Sequence, residues 1–126
     1  MKTRIYLTLI VALWFLGCKQ ETPKDHRSSE TEETQTPVQL GRELFEGKGN
    51  CYSCHKPDQK IIGPSLQEIA KIYKAQNGDI VNFLKGNGAP LVDPSQYEVM
   101  KTNFAITKNM TDEELQALEA YIYSFK

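Results

Sequence analysis

Cys51-Tyr52-Ser53-Cys54-His55 is the stretch of this 126-residue chain whose residue types and spacing suit chemistry. Two thiols lie two residues apart, with an imidazole directly after the second. The CxxCH order is that of a covalent haem attachment site. One helical turn separates the two sulfurs, so each can meet one of the two vinyl groups on one edge of a porphyrin. His55 then projects over the ring face to bind iron, whose ligand field the protein sets. Three other readings use the same residues. A bare CxxC can be a thioredoxin-like redox pair, which needs a βαβ setting. It can be half of a zinc site, but a closed site wants four ligands, and the one further His is the remote His26. It can be a plain disulfide, whose two-residue loop is strained and adds little stability. Cysteine bookkeeping favours haem, because the third cysteine, Cys18, has a use of its own.

A sixth iron ligand has few sources. His26 sits in a polar N-terminal stretch, so a second His ligand is not expected. Met100 and Met110 both follow the CxxCH and can approach from the opposite side of a ring. Met110 has another explanation, because it precedes the last helix at the position of a hydrophobic staple with Leu115. Met100 lies in the polar stretch Tyr97-Glu98-Val99-Met100-Lys101-Thr102-Asn103, without a periodic apolar context to make it core. Met100 is therefore the expected second metal ligand beside His55.

These residues need elements to position them, and the pattern is helical throughout. Val38–Gly47 places Leu40, Leu44 and Phe45 on one face. Ser65–Tyr73 places Leu66, Ile69, Ala70 and Tyr73 on one stripe. Asp79–Lys85 offers Ile80, Phe83 and Leu84 before Gly86-Asn87-Gly88 breaks the chain. Thr111-Asp112-Glu113-Glu114 is a capping box ahead of Leu115, Leu118, Tyr121, Ile122 and Phe125. No strand signal and no internal repeat is present. The expectation is an all-α fold of about four helices. Its long connections, 50–64 and 86–108, are Gly-, Pro- and Asn-rich, and loops of that length in a small domain are usually functional.

The N-terminus carries a different signal. Lys2 and Arg4 precede an apolar run, Ile5 to Leu16, which is too short to span a membrane comfortably but suits a signal peptide. The run ends Leu16-Gly17-Cys18, which resembles the lipobox of bacterial lipoproteins and implies that Cys18 is acylated and becomes the first mature residue. An ordinary signal peptide or an uncleaved anchor are the alternatives, and all three place the rest of the chain outside the cytoplasm. Lys19 to Pro37 contains no Leu, Ile, Val, Phe, Tyr or Trp, so it cannot offset its chain entropy by burial and is expected to be a disordered tether. It reaches roughly 65 Å when extended. The expected organisation is thus 1–17 signal peptide, 18–37 lipidated Cys and tether, and 38–126 a single globular domain. With 15 Lys+Arg against 16 Asp+Glu, the chain lacks the basic footprint of a nucleic-acid binder.

Taken together, residues Leu40 to Phe125 resemble a class I c-type cytochrome. Gly41 and Phe45 resemble the Gly and aromatic that let the first and last helices cross closely, with Leu118 and Tyr121 as partners. Ile62-Gly63-Pro64-Ser65-Leu66 is similar to the family's GPxL segment. The resemblance implies that the Pro64 carbonyl accepts a hydrogen bond from the proximal His55, that Leu66 packs against the ring, and that Met100 is the distal ligand. Val99 and Lys101 flank Met100, where many small bacterial members carry Pro. The implied fold is that of cytochrome c, wrapped around one covalently attached haem.

The implied activity is single-electron transport without catalysis by the protein itself. Electrons would pass at the thioether edge, bordered by Tyr52 and Lys56. The implied partners are membrane-bound or periplasmic reductases and oxidases that dock briefly on a monomer. The expected location is a bacterial membrane surface facing the periplasm or exterior, held by the lipid. The alternative is a haem protein that binds or senses a small gas or peroxide at a labile distal site. The segment 86–103 offers no distal His or Arg for that chemistry. A non-haem redox or metal lipoprotein is a third reading.

Overall fold

The structure is a computed structural model and describes residues 35–125. The signal peptide, Cys18, His26 and nearly all of the tether expected for the N-terminus lie outside the described residues. Six α-helices occur among them: α1 (Pro37–Glu46), α2 (Leu66–Ala75), α3 (Ile80–Leu84), α4 (Tyr97–Lys101), α5 (Phe104–Thr107) and α6 (Asp112–Tyr123). Short 3-10 helices cover Cys51–Ser53 and Pro94–Gln96. The described residues contain no strand, only an isolated bridge between His55 and Lys60.

Local chemistry explains where these helices begin. Thr36 caps α1 by accepting from the Gln39 N–H at 3.2 Å, while Gln39 Oε1 accepts from the Thr36 N–H at 2.8 Å. Pro37 adds a preset φ at the first helical position. Ser65 and Asp79 cap α2 and α3 with their side-chain oxygens. Thr111 and Glu114 form the reciprocal box at the start of α6. Acidic residues fill the first turn of α6, where the helix dipole favours them.

α6 is the hub. α1, α2 and α3 all pack on it, α1 most extensively. The core is built from Leu44 and Phe45 of α1, Leu66, Ala70 and Tyr73 of α2, Ile80 and Leu84 of α3, and Leu115, Ala117, Leu118 and Ile122 of α6. Burial pushes the Tyr73 hydroxyl up to about 12. Met110 and Leu115 are both buried in this core, the placement a staple requires. α1 and α6 cross almost in backbone contact. A Cβ on Gly41 would lie 1.9 Å from the Ala117 carbonyl oxygen and 2.7 Å from Tyr121 Cβ. Phe45 then meets Tyr121 with ring centroids 5.4 Å apart. The closest approach is therefore over Ala117, one residue before the Leu118 that the sequence pattern suggested.

The four helices expected from periodicity are all present. α4 and α5 are additional and lie in the stretch read as an irregular connection. Each has only four or five residues, below the length at which a helix stands alone in water. Packing holds them: Phe104 is buried and sits edge-on to Phe83 with centroids 5.5 Å apart, and Tyr97 completes the cluster. Thr107 is fully buried and donates its hydroxyl to the Leu84 carbonyl at 2.6 Å.

Gly41→Val is expected to lower the stability of the folded protein by about 1–3 kcal/mol or more, since an overpacked crossing must separate. Denaturant unfolding of wild type and variant measures the loss.

Candidate haem site

α1 ends at Gly47, and the chain turns at once toward the CxxCH. Asn50 adopts a left-handed φ of 50°, a conformation Asn tolerates better than most residues. The 3-10 helix Cys51–Ser53 follows, and the His55 N–H donates to the Cys51 carbonyl at 3.0 Å. This single turn brings Cys51, Cys54 and His55 to the wall of one apolar cavity of about 220 Å³. Both thiols are free. Burial pushes the Cys51 thiol up to about 11, so it stays protonated near neutral pH.

The loop after His55 is tied down by its backbone. The Gly63 N–H donates to the Cys54 carbonyl at 2.8 Å, and the Leu66 N–H donates to the Lys56 carbonyl at 2.9 Å. These bonds press Gly63-Pro64 onto the imidazole. His55 Nδ1 lies 2.8 Å from the Pro64 carbonyl oxygen. A carbonyl can only accept, so Nδ1 carries the proton, and in the neutral ring that burial favours Nε2 keeps its lone pair. Burial lowers the His55 pKa, with the Pro64 carbonyl pulling the other way. Gly63 is required here, because a Cβ would come within 2.5 Å of His55 Cε1.

The rest of the cavity wall is drawn from distant segments. Leu66, Ile80, Leu84, Leu118 and Ile122 supply apolar surface. Met100, on α4, also lines the cavity, whereas Met110 does not. The sequence reading put Met100 in a loop. It stands on a short helix instead, fed directly by the 3-10 helix Pro94–Gln96. Asn103 donates its side-chain amide to the Gly49 carbonyl at 3.1 Å and so joins the end of the α4 region to the chain just before Cys51. Every site residue expected in the domain (Cys51, Cys54, His55, Pro64, Leu66 and Met100) thus faces one cavity. Asp93 and Gln96 also line it. Sequence reasoning missed them, because loop polar residues carry no periodic signal. The Lys60 ammonium and the Ser95 hydroxyl hold the Asp93 carboxyl down at about 2.

The competing readings of the CxxCH fare worse. The described residues include no βαβ unit and no group of three or more Cys, His, Asp or Glu placed to hold a metal. Comparison with known proteins decides the family. The chain matches the cytochrome c family model over residues 38–126.

The chain belongs to the cytochrome c family.

It is 34% identical over 61 residues to cytochrome c-551 of Pseudomonas denitrificans, a match that takes in 43% of this chain and 73% of the relative. It is 49% identical over 43 residues to cytochrome c2 of Rubrivivax gelatinosus, covering 34% of this chain and 45% of that protein. A third match, to cytochrome c-552 of Nitrosomonas europaea, is 41% identical over 39 residues and covers 37% of the relative. The chain is an electron-transfer cytochrome of the c type, not an enzyme, and its cofactor is covalently bound haem c with its iron.

The residues of the cavity fit that group. Two unpaired thiols stand one turn apart at its wall, a neutral imidazole offers a lone pair, and a thioether comes from another segment. The remaining lining is mostly apolar, as a porphyrin face requires.

Gly63→Ala is expected to push the loop off the imidazole. The His55 Nδ1 proton should then exchange faster with solvent in NMR spectra, and stability should fall by about 1–3 kcal/mol.

Proposed function

We propose that this cytochrome c is a membrane-tethered single-electron carrier working outside the cytoplasm. Cys51 and Cys54 would form the two thioethers, with His55 and Met100 as the axial iron ligands. The observation that carries this reading is the convergence of the CxxCH and Met100 on one apolar cavity. Bound there, haem supplies a one-electron ferric–ferrous couple.

The chain's own part is positional. The Pro64 carbonyl fixes the His55 tautomer and orients the ring, raising its basicity as a ligand. Met100 offers a soft thioether, which favours the reduced state relative to harder donors. Leu66, Leu118 and Ile122 line the cavity and would help keep water from a bound haem, which also favours the less charged ferrous state.

Electrons would cross where the CxxCH reaches the surface. Tyr52 is exposed there, and Lys56 lines the same shallow surface pocket. Ile61, Ile62 and Val99 are exposed as well. Exposed apolar and cationic side chains of this kind suit brief docking by a reductase or oxidase.

Anchoring rests on the sequence of the first 37 residues. Among the described residues no helix is long and apolar enough to cross a membrane. On this reading the lipid on Cys18 supplies attachment, residues 1–17 are removed, the residues from 19 up to the Thr36 cap of α1 form the tether, and the carrier's effective concentration near membrane-bound partners rises.

The test uses holoprotein made with the haem-attachment machinery. The ferric spectrum should show the weak far-red sulfur-to-iron band, and Met100→Ala should abolish it. A high-spin spectrum without the band, unchanged in Met100→Ala, would contradict the axial assignment and favour a small-ligand binding role instead. In cells, Cys18→Ala should move the protein from the membrane to the soluble fraction.

A further inference from the structure

Lys60 and Asp93 form an ion pair, Nζ to Oδ2 at 2.6 Å, between segments 33 residues apart. Each partner is wired to one side of the haem cavity. The backbone of Lys60 bridges antiparallel to His55. Asp93 lines the cavity and opens the 3-10 helix Pro94–Gln96: its second oxygen accepts from the Ser95 hydroxyl at 2.5 Å, and its carbonyl accepts from the Gln96 N–H at 3.1 Å. That 3-10 helix runs straight into α4 and Met100. The other ion pairs among the described residues, Arg42–Glu46, Lys48–Glu114, Lys85–Asp112 and Lys101–Glu98, do not join these two segments. The Asp93 side chain is only 14% exposed, against 57% for Lys60. The carboxylate is therefore sheltered and depends on its partner more than a free surface charge does.

The geometry points to the Lys60–Asp93 pair as a latch that holds the Met100 segment against the His55 loop and sets how readily Met100 yields to a small exogenous ligand. This rests on the axial reading of His55 and Met100 given above. Lys60 and Asp93 are positioning residues. They act by changing how often α4 swings away from the cavity, and the apparent affinity of a competing ligand scales with the population of that open state.

Imidazole is the probe, titrated against ferric holoprotein with the far-red band as the readout. Lys60→Gln removes one charge. Asp93→Asn removes the other while keeping an oxygen for Ser95. Each single variant should bind imidazole roughly two- to fivefold tighter than wild type, the range expected when a half-sheltered ion pair is lost. The double variant should bind no more tightly than the tighter single, since both substitutions remove the same interaction. Arg42→Gln, which breaks an ion pair on α1, should leave the affinity unchanged.

Single variants that match wild type would overturn the latch. So would a double variant whose effect is the product of the two singles, or an Arg42→Gln that shifts affinity equally. A wild type that lacks the far-red band, with Met100→Ala binding imidazole as wild type does, would overturn the axial reading itself and the latch with it.

Discussion

The near-contact of α1 and α6 at Gly41 and Ala117 is the constraint on which the rest of the domain depends. It has no room for a side chain, and it fixes the end of α1. The CxxCH starts four residues beyond Gly47, so the position of α1 sets the position of Cys51. The same crossing aims Leu118 and Ile122 of α6 into the cavity wall. Lys48, just past α1, reinforces the arrangement by pairing with Glu114 at 2.6 Å. Lys48 also helps hold the Glu114 carboxyl below its usual range while that side chain completes the α6 cap.

The two sides of the cavity are held by different physics. On the His55 side the loop is fixed by backbone hydrogen bonds to Cys54, Lys56 and Pro57, and by the imidazole–Pro64 contact. These bonds are local and stiff. On the Met100 side the elements are one-turn helices held by side-chain packing around Phe83, Tyr97 and Phe104 and by side-chain ties: Asn103 to Gly49, Thr107 to Leu84 and Asp93 to Lys60. Segments of few backbone bonds and short elements open at lower free energy than the core. An electron carrier benefits from this asymmetry only if the weaker side stays closed, because a fixed ligand set keeps reorganisation small between oxidation states.

Much of this was legible in the sequence because the signals were local. Apolar spacing located α1, α2 and α3, that spacing with a capping box located α6, and the CxxCH and GPxL segments named the His55 side. The Pro64 carbonyl stands where the resemblance placed it, at 2.8 Å from the imidazole. The parts not legible are those held by tertiary contact. α4 and α5 have no periodic stripe, since their apolar residues meet an aromatic cluster assembled from three segments. Ala117 as the crossing point depends on helix rotation, which spacing leaves uncertain by one residue. The Lys60–Asp93 pair joins two loops, and nothing in either loop announces the other.

The central claim is that one cavity holds iron between His55 and Met100. Proton NMR of the ferrous holoprotein tests it most directly. A methionine bound at iron places its methyl group over the porphyrin, whose ring current moves that three-proton signal far upfield. The account predicts one such signal, lost in Met100→Ala and retained in Met110→Leu. A spectrum with no upfield methyl, or one whose signal persists in Met100→Ala and disappears in Met110→Leu, would contradict it.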